Sequence, residues 1–347
     1  MKILFVGFGN VGRRVAEILF EERRSCSQLD GLDFRIIGIV TRAHGSVFSA
    51  DGLEMILLLR SYRSKGRVLT GEPSRSVLDA QGAISQLDFD VLVELTALSI
   101  EQHGEPATSH VRLALERGRH VVTANKGPCA FSYRPLKELA DRKAVRFLFE
   151  SVVMDGAPIF NLTRSCLRGC SIQSVSGILN STTNYILTEM ERGRSFDEAL
   201  RAAQEKGIAE ADPRHDVDGW DAATKTAILA NVLMGATLTP YDIPRNSIRE
   251  ISVERVKQEI GDGNRLKLVC RVDRWDNGVR TSVELVSLPL DHPFATVSGT
   301  GSILQIETDL MAPIRTVQVD PHITDTAYGI IEDLLEIARS DFQGSFL

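Results

Sequence analysis

The sequence predicts an α/β protein of two lobes, a parallel sheet covered by helices followed by an α+β lobe. Three observations carry this. Short apolar runs alternate with helical stretches over residues 1–150, a glycine-rich turn directly follows the first run, and after Glu150 the rhythm changes to helices and one long hairpin. In order, residues 3–6, 34–40, 91–95, 120–123 and 145–149 read as strands, being short and apolar on both alternating faces. Between them, 11–22, 52–62, 105–117 and 135–142 repeat apolar residues at the spacing of a helix with one buried face. Helical patterns dominate residues 182–235. Residues 265–288 alternate with period two around Asp276-Asn277-Gly278: Leu266, Leu268, Cys270 and Val272 are answered by Val279, Thr281, Val283 and Leu285, the pattern of a β-hairpin. In the last amphipathic stretch, 326–339, Ala327, Ile330, Ile331, Leu334, Leu335 and Ile337 recur at helical spacing, so it is expected to pack back on the first lobe. The expected domains are 1–135, completed by 320–347, and 136–319.

Composition bounds the function classes. The 347 residues are 43% hydrophobic and 25% charged, the balance of a chain with a real core, and at about 150 residues per domain the length favours two domains. Forty Lys and Arg against 46 Asp and Glu give a net charge of -6 with no basic run, which argues against a nucleic-acid partner. Cys26, Cys129, Cys166, Cys170 and Cys270 are odd in number and contain no C-x-x-C pair, so neither a disulfide framework nor a zinc site is expected, and a reducing, cytoplasmic setting fits. The apolar start, 1–6, is broken at Gly7 and Gly9 and meets Arg13 and Arg14, so it reads as a strand rather than a signal peptide. The longest apolar runs, 36–40 and 56–59, fall far short of the ~20 residues that span a bilayer, and no membrane association is expected.

Gly7-Phe8-Gly9-Asn10-Val11-Gly12 is a G-x-G-x-x-G run between a strand and a helix, which identifies the first lobe as a Rossmann-type dinucleotide-binding sheet. Glycine serves a different purpose at each place: a tight turn, a backbone close to pyrophosphate, and a helix packed closely on the sheet. The second strand ends in Thr41-Arg42, offering a cation where NAD-selective sites place a carboxylate. NADP is therefore expected in preference to NAD.

In the second lobe, residues 207–221 are dense in carboxylates and lead into a helix. Asp221 and Lys225 stand four apart and so project from one helix face, flanked by Ala222, Ala223, Ala227 and Ala230. Such a pair on an open face is a solvated salt bridge, whereas close packing by small residues would desolvate the ammonium and make it usable as an acid or base. Lys126 follows the 120–123 strand in Thr123-Ala124-Asn125-Lys126, at the carboxyl end where open α/β sheets bind ligands.

These residues, with Gly177-Ile178-Leu179-Asn180-Ser181-Thr182-Thr183-Asn184-Tyr185-Ile186-Leu187 and Glu210-Ala211-Asp212-Pro213 through Asp216 and Gly219, make the chain resemble a homoserine dehydrogenase over most of its length. The resemblance implies reversible hydride transfer from NAD(P)H to L-aspartate 4-semialdehyde, giving L-homoserine, on the branch from aspartate toward threonine and methionine. It implies Lys225 as the proton-transfer group with Lys126 as a second cation, and Glu210, Asp221, Asp216, Asn180 and Thr182 as the substrate side. Cofactor contacts are implied for Gly7 to Gly12, Arg42, Thr96, Asn125 and Lys126. A sodium ion held by oxygens of Glu150, Val153, Asp155 and Ala157, and a homodimer built through the second lobe, are further implications. Two departures stand out. Residues 320–329 lack the Gly-Ala-Gly-like loop of many relatives, and the chain stops at Leu347 after the last helix, so threonine feedback through an added C-terminal domain is not expected. Two rivals remain: a phosphorylating semialdehyde dehydrogenase with Cys129 as nucleophile, and a nucleotide-sensing protein that kept the sheet and lost the chemistry.

Overall fold

The computed structural model describes residues 1–22, 32–42, 45–65 and 78–341; Cys26 and the end of the expected 320–347 segment lie outside them. The chain divides into two compact units, one of residues 1–128, 132–157 and 322–347, the other of 129–131 and 158–321.

The first unit holds β1 (Lys2–Val6), α1 (Asn10–Phe20), β2 (Arg35–Thr41), β3 (Gly45–Phe48), α2 (Met55–Lys65), α3 (Ala80–Gln86), β4 (Val91–Glu94), α4 (Ala107–Glu116), β5 (His120–Thr123), most of α5 (Lys126–Arg142), β6 (Phe147–Leu148) and the last helix, α12 (Ile323–Asp341). Its sheet runs in the order β3-β2-β1-β4-β5-β6, parallel except for β3, which turns back on the edge of β2 with Thr41 opposite Gly45. All five expected strands are present. Two elements were not foreseen: β3, four residues beginning Gly-Ser, and α3, seven residues with Gly82 inside, whose start is fixed by the Asp79 carboxylate accepting from the Gly82 amide at 2.7 Å. The expected boundary near 135 moves to 157, because β6 pairs in parallel with β5 and the Glu150 amide donates to Asp333 in α12. Ile330, Ile331, Leu334 and Leu335 of α12 enter the same core as Ile3, Phe5, Val15, Leu19 and Val93. Each large side chain so buried contributes roughly 1.5–3 kcal/mol, which is why the end of the chain returns to its beginning.

The second unit holds α6 (Phe160–Cys166), β7 (Ile172–Ile178), α7 (Ser181–Glu191), α8 (Phe196–Glu205), α9 (Arg214–Val217), α10 (Trp220–Met234), α11 (Val253–Gly261), β8 (Asn264–Trp275), β9 (Gly278–Pro289), β10 (Ser302–Thr308) and β11 (Ile314–Gln318). Its antiparallel sheet runs β11-β10-β7-β8-β9. The β8–β9 hairpin has the expected register, Leu268 opposite Leu285 and Cys270 opposite Val283, and closes through Asp276 in the left-handed region at φ +43°. α7 is buried all round from Thr182 to Met190, and α10 nearly so from Ala222 to Asn231, so the polar groups they carry must find partners inside the unit.

Candidate functional site

Each unit carries its own set of candidate residues. In the first, Gly7 adopts φ +91°, and a Cβ there would stand 2.5 Å from the Leu95 carbonyl carbon and oxygen, so the turn admits no side chain. Gly9 caps α1 without a side-chain hydrogen bond, and a Cβ on it would meet nothing within 4 Å. The space over Gly9 at the start of α1 is thus open, as the cradle for a pyrophosphate requires. At Gly12 a Cβ would press on Phe8 at 3.2 Å and Leu95 at 3.3 Å, the close packing expected of the third glycine. Asn10 and Val11 open the helix, and Arg42 stands exposed immediately after β2.

Beyond the next two strands the polar groups interlock. Asn125 caps α5, its Oδ1 accepting from the Gly127 amide at 2.8 Å, while its Nδ2 donates to the Thr96 carbonyl at 2.9 Å and lies 3.2 Å from the Thr96 hydroxyl. Lys126 is the first residue of that helix, half-buried. Sequence reasoning missed the group behind Thr96: Glu94, wholly buried at the end of β4, accepts from the Thr96 hydroxyl at 2.5 Å and lies 3.4 Å from Nδ1 of buried His110. The available signal was an acidic residue closing the otherwise apolar Val-Leu-Val-Glu strand.

In the second unit, β7 delivers the chain to Asn180, which caps α7 by accepting from the Thr183 amide at 2.8 Å. Its Nδ2 donates to two carboxylates, Asp216 at 2.7 Å and Asp221 at 3.0 Å. Asp221 pairs with Lys225 one turn along α10 at 3.2 Å, their side chains 14% and 15% exposed, and the Lys225 ammonium also donates to the Leu179 carbonyl at 2.5 Å. Ala222, Ala223, Ala227 and Ala230 are buried beside the pair, which is the packed setting rather than the solvated one. Beneath it, burial pushes the Cys270 thiol up to about 11, leaving it an inert neighbour. Thr182 donates to the Ile208 carbonyl at 3.2 Å and so ties α7 to the loop carrying Glu210; Glu210 itself is exposed and stands outside the hydrogen-bonded cluster.

Burial, and then the charge of Asp221, raise the Asp216 carboxyl above its ordinary value, against the opposing hydrogen bonds of Asn180 and Thr182. A carboxyl raised on folding favours the folded state fully below its unfolded value, here near 3.8, and that contribution is lost as pH rises through the higher folded value. Asp216→Asn keeps an acceptor for Asn180 and removes the charge. It is therefore expected to melt above the wild type at pH 7, the gap closing as pH falls toward 3.8. Melting curves across that range check this, and a gap independent of pH would overturn it.

Two expected features come out differently from one another. Cys129 is 0% exposed within α5, the environment of a packing thiol. At the 150–157 turn, Asp155 sits at φ +47° with its carboxylate accepting from the Thr326 hydroxyl at 2.8 Å, and among the described residues no three His, Cys, Asp or Glu side chains gather as metal ligands. A cation there would draw on Glu150 and backbone carbonyls.

Comparison with known proteins agrees over the whole length. Residues 158–335 match the family model described as homoserine dehydrogenase, and residues 7–150 match the homoserine dehydrogenase NAD binding domain. An NAD(+)-dependent homoserine dehydrogenase of Pseudomonas canavaninivorans is 36% identical over 98% of this chain and 96% of its own. The homoserine dehydrogenase of Methanocaldococcus jannaschii is 35% identical over 98% and 99%. Among solved structures, a putative homoserine dehydrogenase from Archaeoglobus fulgidus superposes with a TM-score of 0.85 at 33% identity, covering 97% of this chain and 99% of that one. A hyperthermophilic archaeal homoserine dehydrogenase in complex with NADPH does so at 0.83 and 28%, covering 98% of each. Glycine cradle, acid–lysine cluster and full-length likeness lead to one assignment: the chain belongs to the homoserine dehydrogenase family, NAD(P)-dependent oxidoreductases acting on a CH–OH group.

Proposed function

We propose that this chain interconverts L-aspartate 4-semialdehyde and L-homoserine, with Lys225 transferring the proton. The observation that carries the reading is the Lys225 ammonium, largely buried and held at once by Asp221 and the Leu179 carbonyl. When bound, the nicotinamide cofactor supplies or receives the hydride. In the reductive direction a C–H bond forms at the aldehyde carbon, negative charge develops on the carbonyl oxygen, and the Lys225 ammonium stabilises that charge and gives up its proton to it. Asp221 holds the ammonium in register. Asn180 fixes Asp221 and Asp216 together, so the carboxylates keep their places as charge moves. Lys126, at the carboxyl end of β5, serves as the second cationic group, and Glu210, on its exposed loop, as the partner of the substrate ammonium. The acyl-enzyme alternative requires an accessible thiolate, which the buried Cys129 does not offer. The sensing alternative leaves the Asn180–Asp216–Asp221–Lys225 cluster without a purpose.

Sodium at the 150–157 turn rests on the family resemblance; one Asp155 oxygen accepts from the Thr326 hydroxyl there. A homodimer rests on the same resemblance, with the exposed apolar Val317 on edge strand β11 and Val319 just after it as an available surface. A cytoplasmic setting rests on the cysteine pattern; among the described residues no helix is long and apolar enough to cross a membrane.

The direct test is absorbance at 340 nm with L-homoserine and NADP or NAD at alkaline pH, where proton release favours oxidation. Homoserine-dependent cofactor reduction is expected, and its absence while NADPH still binds would move the reading to a sensing protein. The same assay decides cofactor choice. Arg42, exposed at the end of β2, is suited to a 2′-phosphate, so NADP is expected to be used more efficiently and Arg42→Ala to erode that preference. Equal efficiency with both cofactors, unchanged in Arg42→Ala, would defeat it.

A further inference from the structure

We propose that Glu94 is a positioning residue for the nicotinamide cofactor. From inside the core it fixes the Thr96 hydroxyl and, through it, the Asn125 side chain, so that the carboxyl ends of β4 and β5 are set before the cofactor arrives. The inference rests on the family's use of a nicotinamide cofactor and on the glycine cradle in the same unit.

Glu94 closes a strand whose other members, Val91, Leu92 and Val93, are wholly buried, and it is itself 0% exposed. A carboxylate in such a place is costly. One of its contacts is to Nδ1 of buried His110 in α4 at 3.4 Å, and the others lead to the carboxyl end of the sheet. Oε1 accepts from the Thr96 hydroxyl at 2.5 Å, and the Glu94 carbonyl accepts from the Thr123 hydroxyl at 2.9 Å. The Thr123 hydroxyl in turn accepts from the Asn125 amide at 3.0 Å, and the Asn125 side chain returns to Thr96. Two loops that share no sequence are thereby joined through one acidic residue. Asn125 also caps α5, so the same chain fixes the start of the helix on which Lys126 is the first residue.

The second carboxylate oxygen, Oε2, is buried with no hydrogen-bond partner among the described residues. An unpaired buried oxygen costs roughly 1–3 kcal/mol. Against that cost stand the pairing with His110 and the fixing of the two loops. Open α/β sheets bind their ligands at this end of the strands, where a preset surface spares the ordering cost on binding.

The test uses the full chain with Glu94→Met, which fills a similar volume without a strong acceptor, and Glu94→Gln, which keeps an oxygen for Thr96. NADPH affinity by titration calorimetry, melting temperature, and separate KM values for cofactor and homoserine are measured. Glu94→Met, which also leaves His110 without its carboxylate, is expected to fold but melt below the wild type, and to bind NADPH about 10-fold or more weakly, the effect of losing one hydrogen bond to a charged group. KM for homoserine should rise less than KM for the cofactor, since Lys126 is touched only through the start of α5, and Glu94→Gln should recover most of the affinity. Unchanged NADPH affinity in Glu94→Met overturns the proposal, as does a variant that fails to fold or raises both KM values equally, since these outcomes mark a core residue. A wild type that binds NADPH but does not oxidise homoserine would instead strike the proposed reaction and leave the affinity comparison readable.

Discussion

Lys225→Ala is expected to lower kcat by about 10²–10⁴-fold, the range for losing a positioned proton donor, with NADPH affinity unchanged. The lysine belongs to the second unit and the glycine cradle to the first, so the substitution touches no residue proposed to bind the cofactor. The loss goes beyond a missing proton. Asp221 and Asp216 share the Asn180 amide, and Lys225 is the cation that faces them; without it, two carboxylates confront each other in a largely buried setting. Homoserine KM is therefore expected to rise as well, since the substrate meets an altered field. Lys225→Arg restores the charge and not the function, because a guanidinium stays protonated throughout the accessible range and its planar fork does not match a site built around one ammonium. Steady-state rates with both substrates, beside cofactor titrations, separate these effects. Near-normal turnover in Lys225→Ala would remove the residue from the mechanism.

Periodicity and turn chemistry made most of the scaffold legible. The five parallel strands, the β8–β9 hairpin and the returning helix α12 each follow from a repeat that one buried face imposes. The Asp221–Lys225 pair was legible too, because four-residue spacing fixes a shared helix face whatever the tertiary setting. Long-range polar pairing was not. Lys267 alternates with the core residues of β8 and would be read as facing water, yet it is wholly buried, its ammonium donating to Asn184 at 3.0 Å and the Val297 carbonyl at 2.8 Å. Burial pulls its pKa down to about 8. Asn180 is a comparable case: the resemblance implies it on the substrate side, while its bridging of two carboxylates 36 and 41 residues away depends on the fold alone. The units divide at 157 rather than at the expected 135 for the same reason: residues 145–149 are legible as a strand, but the Glu150–Asp333 hydrogen bond that ties the following turn to α12 spans 183 residues.

The glycine turn yields the other large effect, and it separates two roles that the motif presents as one. Gly7→Ala is expected to destabilise the first unit and abolish NADPH binding together. Its φ of +91° costs a side-chain-bearing residue about 1–3 kcal/mol, and a Cβ 2.5 Å from the Leu95 backbone would have to displace the loop after β4 as well. That loop leads into Thr96, so relief of the overlap shifts a proposed cofactor contact. Gly9→Ala differs in kind: its Cβ meets nothing within 4 Å, so the protein without cofactor should melt as the wild type does. The added methyl nevertheless stands at the cap of α1, where a pyrophosphate must approach the amides closely, and NADPH affinity is expected to fall by tenfold or more, about 1.4 kcal/mol. Melting and NADPH titration on the two variants distinguish the roles: both readouts fall for Gly7→Ala, affinity alone for Gly9→Ala. Wild-type affinity in Gly9→Ala would mean that the pyrophosphate does not rest on the α1 terminus, and the cofactor-binding assignment of the first unit's glycines would fall with it.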